Sequence, residues 1–313
     1  MIKAQNQFFT LEAPSNFVEG IKWYVKLKTR ANGYRTDERI KSISNILLRT
    51  IKKMGIDNMP IQNVNAGVIT QLLVRTKKDR GFSNTRFNDY HSFLNTCFRE
   101  FFKNDWIKKN PLINVDRRRK EDPEKHTPYT ETEYERIKDY FIEKEPFLWS
   151  FIEFMCHTGL RPNEIRQMKV GDIDTENWLV RLRSSIAKTG KERIIKIRSE
   201  YRPTINEWCL DLYPKKFFLF SNKSKGIGEK MAGKNAFSMK FFEHRPYLNV
   251  TENHTLYGFR HTMALRILEN NNHNLKKVQK YLGHTSLKAT FNYLQKAYAR
   301  QITDDSVTVY PVI

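Results

Sequence analysis

Three residue types suited to phosphate chemistry recur in the stretch from Leu256 to Tyr293, LYGFRHTMALRILENNNHNLKKVQKYLGHTSLKATFNY. Arg260, His284 and Tyr293 lie 24 and then 9 positions apart. A phosphodiester is an anion that resists attack. Opening one without a metal requires cations on its non-bridging oxygens, a nucleophile and a proton donor. A guanidinium supplies the first as a planar fork that stays charged, and a phenol can supply the second. Taken singly, each residue has an ordinary reading, because most arginines and tyrosines of a basic protein serve solubility or packing. The rest of the chain has to carry the grouping.

The chain is 313 residues long with a formal charge of +21. That length predicts two domains, and that charge predicts a polyanionic partner, since counterion release from nucleic acid supplies large, salt-sensitive binding energy. A membrane is the competing polyanion, and no run of the length a bilayer demands is present. Charge is concentrated early: residues 1–120 hold 24 Lys and Arg against 10 Asp and Glu, net +14, leaving 31 against 24, net +7, for the rest. Cys97, Cys156 and Cys209 are scattered, without metal-ligand spacing, and the first residues lack a signal-peptide core, so a cytoplasmic location is expected, nucleoid-associated when bound to DNA.

The elements that must position the chemistry follow from periodicity. Residues 1–14 read as an arm, after which Ser15 is expected to cap a helix from Phe17 that stops at Gly33. Thr36 is expected to cap a second, with Ile40, Ile43, Leu47, Ile51 and Met54 as its apolar stripe. Asn65 caps a short third helix running into the basic cluster Arg75–Arg80, and Ser83 opens a fourth, whose Phe87, Tyr90, Phe93, Leu94, Cys97, Phe98, Phe101 and Phe102 read as a buried face ending at Lys109–Pro111. Residues 15–112 are thus an all-α bundle with a basic surface, on which Arg39, Lys52, Lys53, Lys77, Lys78 and Arg80 are candidate DNA contacts. Residues 113–127 read as an exposed linker whose run Arg117–Lys120 either touches phosphates or forms a solvated hinge.

Thr130 with Glu133 forms a capping box that opens a second domain. FLWSFIEFMCHTG predicts a buried helix from Pro146 to a cap at Gly159, and Pro162 begins another. Trp178–Arg183 and Arg193–Ile197 predict an antiparallel hairpin, with Lys188 in or beside its turn and Lys191 three residues on. From Arg202 to Tyr247 the chain reads as mainly helical, interrupted by the basic loop KSKGIGEKMAGKN.

TGLRPNEI at 158–165, AKTGKERIIKI, YGFRHT, LGHTS and Tyr293 nine positions after His284 together resemble the tyrosine recombinases of the phage-integrase family, in order over residues 128–295. The resemblance implies a mainly α fold: the helical bundle as core-binding domain, then at 128–300 a mostly helical α+β catalytic domain with a small antiparallel sheet. It implies that Arg161 and Arg260 hold the scissile phosphate, that Lys188 protonates the departing 5′ oxygen, that His284 bonds the phosphate and that Tyr293 is the nucleophile. Glu164 matches the acidic partner of the first arginine.

One position departs from the pattern. Where the family has histidine three residues before the second arginine, this chain has Tyr257, a poor base at neutral pH, while the neighbouring His261 matches a structural position. The resemblance further implies double-stranded DNA as partner, a homotetramer on two DNA sites, accessory DNA-bending proteins in some systems, and no metal or other cofactor. The tail Ile302–Ile313 would pack on a neighbouring protomer. Two other readings stay open: a type IB topoisomerase that reseals the same strand, and a catalytically silent DNA-binding protein in which Tyr257 marks decay.

Overall fold

A computed structural model describes residues 12–31, 34–119, 126–221 and 226–301. The chain divides into two compact units, Met1–Pro123 and Glu124–Ile313. Gly33, the first 11 residues and the tail from Ile302 onward lie outside the described residues, as do the expectations placed on them.

The first unit is a helical bundle of α1 (Phe17–Ala31), α2 (Tyr34–Lys53), α3 (Ala66–Arg80) and α4 (Asn84–Lys103). Asn65 and Ser83 cap α3 and α4 through their side chains. Ile43, Leu47, Ile51, Ile69, Leu72, Leu73, Phe87, Leu94, Phe98 and Phe101 share one core. Each such large side chain contributes roughly 1.5–3 kcal/mol of burial.

Four expectations are corrected here. Asn16, not Ser15, caps α1, accepting the amide of Glu19 at 3.0 Å. Helix α2 starts at Tyr34 with Thr36 inside it, since no Gly or Pro separates the two. Helix α4 stops at Lys103, well before Pro111, because Asn104 caps it and Asp105 adopts a left-handed φ of 58°, turning Trp106 and Ile107 into the core. Phe102 is exposed.

The expected linker is not free over its first half. Val115 is buried, and Asn88 on α4 clamps the backbone of Arg118, accepting its amide at 2.9 Å and donating to its carbonyl at 2.8 Å. The Arg118 guanidinium lies 5.1 Å above the Phe87 ring, and Arg117 donates to Ser92.

The second unit opens with α5 (Glu131–Lys144), whose Thr130–Glu133 capping box forms as expected, followed by α6 (Pro146–Thr158) and the single turn α7 (Pro162–Ile165). Helix α6 is buried nearly all round through Leu148, Trp149, Phe151, Ile152, Phe154 and Met155. Strands β1 (Ile173–Asp174), β2 (Leu179–Leu182) and β3 (Arg193–Lys196) make one antiparallel sheet in that order. The β2–β3 hairpin pairs Leu182 with Arg193, and β1 is an addition to the hairpin read from the sequence.

Between Arg202 and Tyr247 the fold is less helical than expected. Helices α8 (Arg202–Glu207) and α9 (Ala236–His244) flank strand-like bridges at Lys169–Phe218, Phe218–Gly228 and Ser221–Met231. The short run Phe217–Phe220 buries Leu219 and Phe220 around the bridge at Phe218, and runs this short carry no period that separates strand from helix.

Helices α10 (Gly258–Glu269), α11 (Leu275–Leu282) and α12 (Leu287–Gln301) complete the unit around Ala264, Leu265, Leu268, Val278, Leu282, Leu294 and Ala297. Among the described residues, no helix is long and apolar enough to cross a membrane.

Candidate active site

The second arginine is the most deeply placed member of the group. Arg260, on the first turn of α10, is 0% exposed, a position a cation occupies only when its N–H groups are bonded. Its Nε donates to the Gly159 carbonyl, its Nη2 to the Leu282 carbonyl and its Nη1 to the Tyr257 hydroxyl, each at 2.8 Å. The left-handed cap of α6 at Gly159 (φ +63°) therefore aims a carbonyl at the guanidinium. A Cβ there would lie 2.4 Å from the Tyr281 carbonyl oxygen.

Arg161 follows that cap at the head of α7. Its Nη1 donates to Glu164 at 3.3 Å, and its amide donates to the other carboxylate oxygen at 2.9 Å. Glu164, 2% exposed, also accepts the Lys188 amide at 3.0 Å. Burial would raise its pKa, but the Arg161 and Lys188 amides and the Arg161 and Arg260 guanidiniums outweigh that and hold it below the usual carboxylate range. One carboxylate thus ties the arginine turn to the hairpin turn. The tie is made to Lys188, with its side chain exposed, rather than to Lys191.

His284 sits one residue past the left-handed cap of α11 at Gly283. Its amide donates to the Gln279 carbonyl at 3.1 Å, and its Nδ1 lies 3.2 Å from the hydroxyl of Thr290. Burial first, then Arg260, Arg161, Arg193 and Lys188, lower its pKa to about 4. Tyr293 on α12 stacks on His261 (centroids 4.3 Å, 8° between planes), meets His284 edge-on at 5.4 Å, and lies with its ring centroid 5.8 Å from the Arg260 guanidinium carbon. Its hydroxyl is buried and faces the Tyr257 hydroxyl. Burial drives the phenol well above its ordinary pKa; Arg260 opposes the rise and the Tyr257 phenol adds to it.

Arg161, Glu164, Lys188, Tyr257, Arg260, His284 and Tyr293 are therefore gathered in the second unit. The six candidate contacts of the first unit belong to α2 and α3. There Arg39 pairs with Asp89 at 2.7 Å, Lys53 with Asp79 at 3.4 Å, and Lys77 with Asn84, while Lys52, Lys78 and Arg80 are exposed.

Two residues escaped the sequence reading. Arg193, at the start of β3, leaves Nε and Nη2 buried without partners, and it fills the space that a side chain at Gly283 would occupy. Burial, with Arg260 and Arg161 acting against Glu164, lowers its pKa to about 10. His126, with its ring centroid 5.2 Å from that of Tyr257 and its Nδ1 2.6 Å from the Thr255 hydroxyl, is the other. The strand pattern marks Arg193 as one more exposed cation, and nothing near His126 in the sequence singles it out. Among the described residues, no three His, Cys, Asp or Glu side chains converge as metal ligands.

Known proteins are similar to this chain in sequence and in fold. The family model described as the phage integrase family matches residues 118–300. A probable integrase/recombinase of Acholeplasma phage L2 is 30% identical over 155 residues, 50% of this chain and 51% of that protein, so the match spans about half of that relative. Tyrosine recombinase XerC of Haemophilus ducreyi is 26% identical over 252 residues, 76% of this chain and 79% of the relative. Among solved structures, the Tn1549 transposon integrase in complex with a circular intermediate DNA superposes with a TM-score of 0.72 at 20% identity, over 92% of this chain and 99% of the other. A lambda integrase dimer bound to a core site gives 0.73 at 18% identity, over 94% and 81%, and both likenesses are of fold. The chain belongs to the phage integrase family of tyrosine recombinases.

Proposed function

We propose that the protein is a site-specific DNA recombinase or integrase that cuts and rejoins strands through a 3′-phosphotyrosine link at Tyr293. The observation that carries this is that Arg260 and His284 pack against one buried phenol, while Arg161 and the Lys188 amide meet at Glu164 and both of those cations act on His284.

In this reading the two guanidiniums and His284 take the non-bridging oxygens, and fixed donors of this kind stabilise the charge that grows in the transition state. The Tyr293 oxygen attacks phosphorus as the bond to the 5′ oxygen breaks, and Lys188 gives that oxygen a proton. The proton of Tyr293 passes to the Tyr257 oxygen as Tyr257 gives its own proton to water in the cleft that it lines. That oxygen already accepts from Arg260, and Tyr257 lines a cleft of about 510 Å³ with Arg161 and His126. Bond energy stays in the phosphotyrosine, so rejoining to a partner strand needs no nucleotide. The basic faces of α2 and α3 hold the duplex through phosphates. Assembly of four protomers on two sites draws support from the fold shared with a lambda integrase solved as a tetramer on a Holliday junction, at a TM-score of 0.68.

The test is incubation with nicked suicide substrates drawn from the DNA beside the gene. A covalent adduct that disappears in Tyr293→Phe is expected. A bound but never covalently linked site overturns the reading in favour of a silent binder, and relaxation of any supercoiled plasmid without exchange overturns it in favour of a topoisomerase.

A further inference from the structure

Behind His284 a cleft of about 640 Å³ runs between β3 and α11. Arg193, Lys196 and Arg198 line one side, and Lys276, Lys277 and Lys280 line the other. No carboxylate lines it, and of the residues placed around the reacting phosphate only His284 does, while Arg161, Lys188, Tyr257, Arg260 and Tyr293 do not, so it adjoins that cradle on the far side of His284. Of the six cations only Arg198 has an ion pair among the described residues, to Glu200 at 3.7 Å, and Lys277 donates to Asn271 at 2.5 Å. Six cations facing one cleft repel one another, and they carry a cost that an anion would remove. The second sign is Arg193, whose Nε and Nη2 are shielded from water and bonded to nothing. A folded chain rarely keeps two such donors unpaired unless a partner arrives.

We propose that this cleft is a second phosphate-binding site, filled by a phosphodiester of the bound DNA away from the scissile position, with Arg193 joining it to the His284 turn. Its ligand is the phosphate group, which a soluble polyphosphate also carries. The DNA source rests on the recombinase reading, whereas the site itself does not.

The test uses the full chain and the double variant Lys276→Gln, Lys280→Gln, both positions being exposed. A lost phosphate contact lowers the slope of log affinity against log salt by about 0.9, and with one phosphate in the cleft the variant's slope on DNA should fall by about that amount. Duplexes bearing one neutral methylphosphonate at a time should reveal a position, outside the cleavage site, that weakens wild type and has no further effect on the variant. Without DNA, sodium tripolyphosphate should raise the melting temperature of wild type more than that of the variant. The two DNA results together identify the occupant as DNA. A tripolyphosphate response without them keeps the site and transfers it to a soluble polyphosphate. No response in any arm overturns the proposal. So does an equal change of slope per charge in Lys144→Gln, an exposed lysine paired with Glu143 on α5, because net charge alone would then explain the effect. Absence of a Tyr293 adduct would sink the recombinase reading and leave the tripolyphosphate arm standing.

Discussion

Replacing Gly283 with alanine tests the packing that places His284. Gly283 caps α11 at φ +63° and ψ 41°, where a residue with a Cβ costs roughly 1–2 kcal/mol. The added Cβ would also lie 1.6 Å from Nη1 of Arg193 and 2.6 Å from its Cζ, so the guanidinium has to move. Forcing extra volume into a packed site costs about 1–3 kcal/mol, giving about 2–5 kcal/mol in all. Gly190 is an internal control in the same unit: its φ is +68° and nothing lies within 4 Å of its missing Cβ, so Gly190→Ala should show the backbone part alone. Urea unfolding of the two variants should differ by about 1–3 kcal/mol, with the first unit's contribution cancelling between them. Cleavage by Gly283→Ala should also fall, since His284 is the next residue. Adding Arg193→Gln to Gly283→Ala should recover part of the lost stability, a coupling above roughly 0.5 kcal/mol. Equal midpoints for the two glycine variants, or strict additivity in the double, would refute the collision.

Three further outcomes follow from the same geometry. Tyr293→Phe removes a buried hydroxyl that faces the Tyr257 hydroxyl, so thermal melts should change by no more than about 1 kcal/mol while the adduct vanishes; a larger loss would mean that the hydroxyl is held by more than Tyr257. Tyr257→Phe strips the partner from Nη1 of buried Arg260 and should cost about 1–3 kcal/mol and slow cleavage, with Tyr257→His restoring cleavage; an unchanged melt and rate would remove Tyr257 from the site. His284 is held to about 4 in the folded chain against about 6.5 unfolded, so the unfolded state gains protons first as pH falls through that window. Stability should therefore decline on acidification between those values, less steeply in His284→Asn, and identical pH profiles for the two proteins would contradict the assignment.

How far the sequence could be read depended on whether a signal was local. The Thr130–Glu133 box, the caps at Asn65 and Ser83, the stop at Gly159 and the buried face of α4 are written in neighbouring residues, and each formed. Helix ends were misplaced where tertiary pull decided, as when Trp106 and Ile107 fold back onto the core and shorten α4. Residues of the site were legible as types and spacings, but their dependence on one another was not. That Glu164 joins Arg161 to Lys188, or that Gly283 exists to admit Arg193, requires contacts made across 24 and 90 positions of chain.

The charge balance of the site gives these contacts a common purpose. Arg161, Arg193, Arg260 and Lys188 act together on a region with one buried carboxylate, and burial together with their unbalanced field keeps His284 neutral although Glu164 is ionised. The same arginine that should favour a Tyr293 phenolate is outweighed by burial, so the phenol stays protonated. In the proposed reaction, a phosphodiester entering this cradle adds the missing negative charge. It relieves repulsion among the cations and favours protonation of His284 on the phosphate side. It also opposes ionisation of Tyr293, so deprotonation has to be coupled to attack rather than precede it. A hydrogen-bonded path through Tyr257, fixed by Arg260, suits that requirement better than a strong free base would, because it takes the proton only as the oxygen–phosphorus bond forms. The residue that departs from the family pattern is thus held by the most deeply buried cation of the site, where a relic with no role would have no reason to complete an arginine's hydrogen bonds.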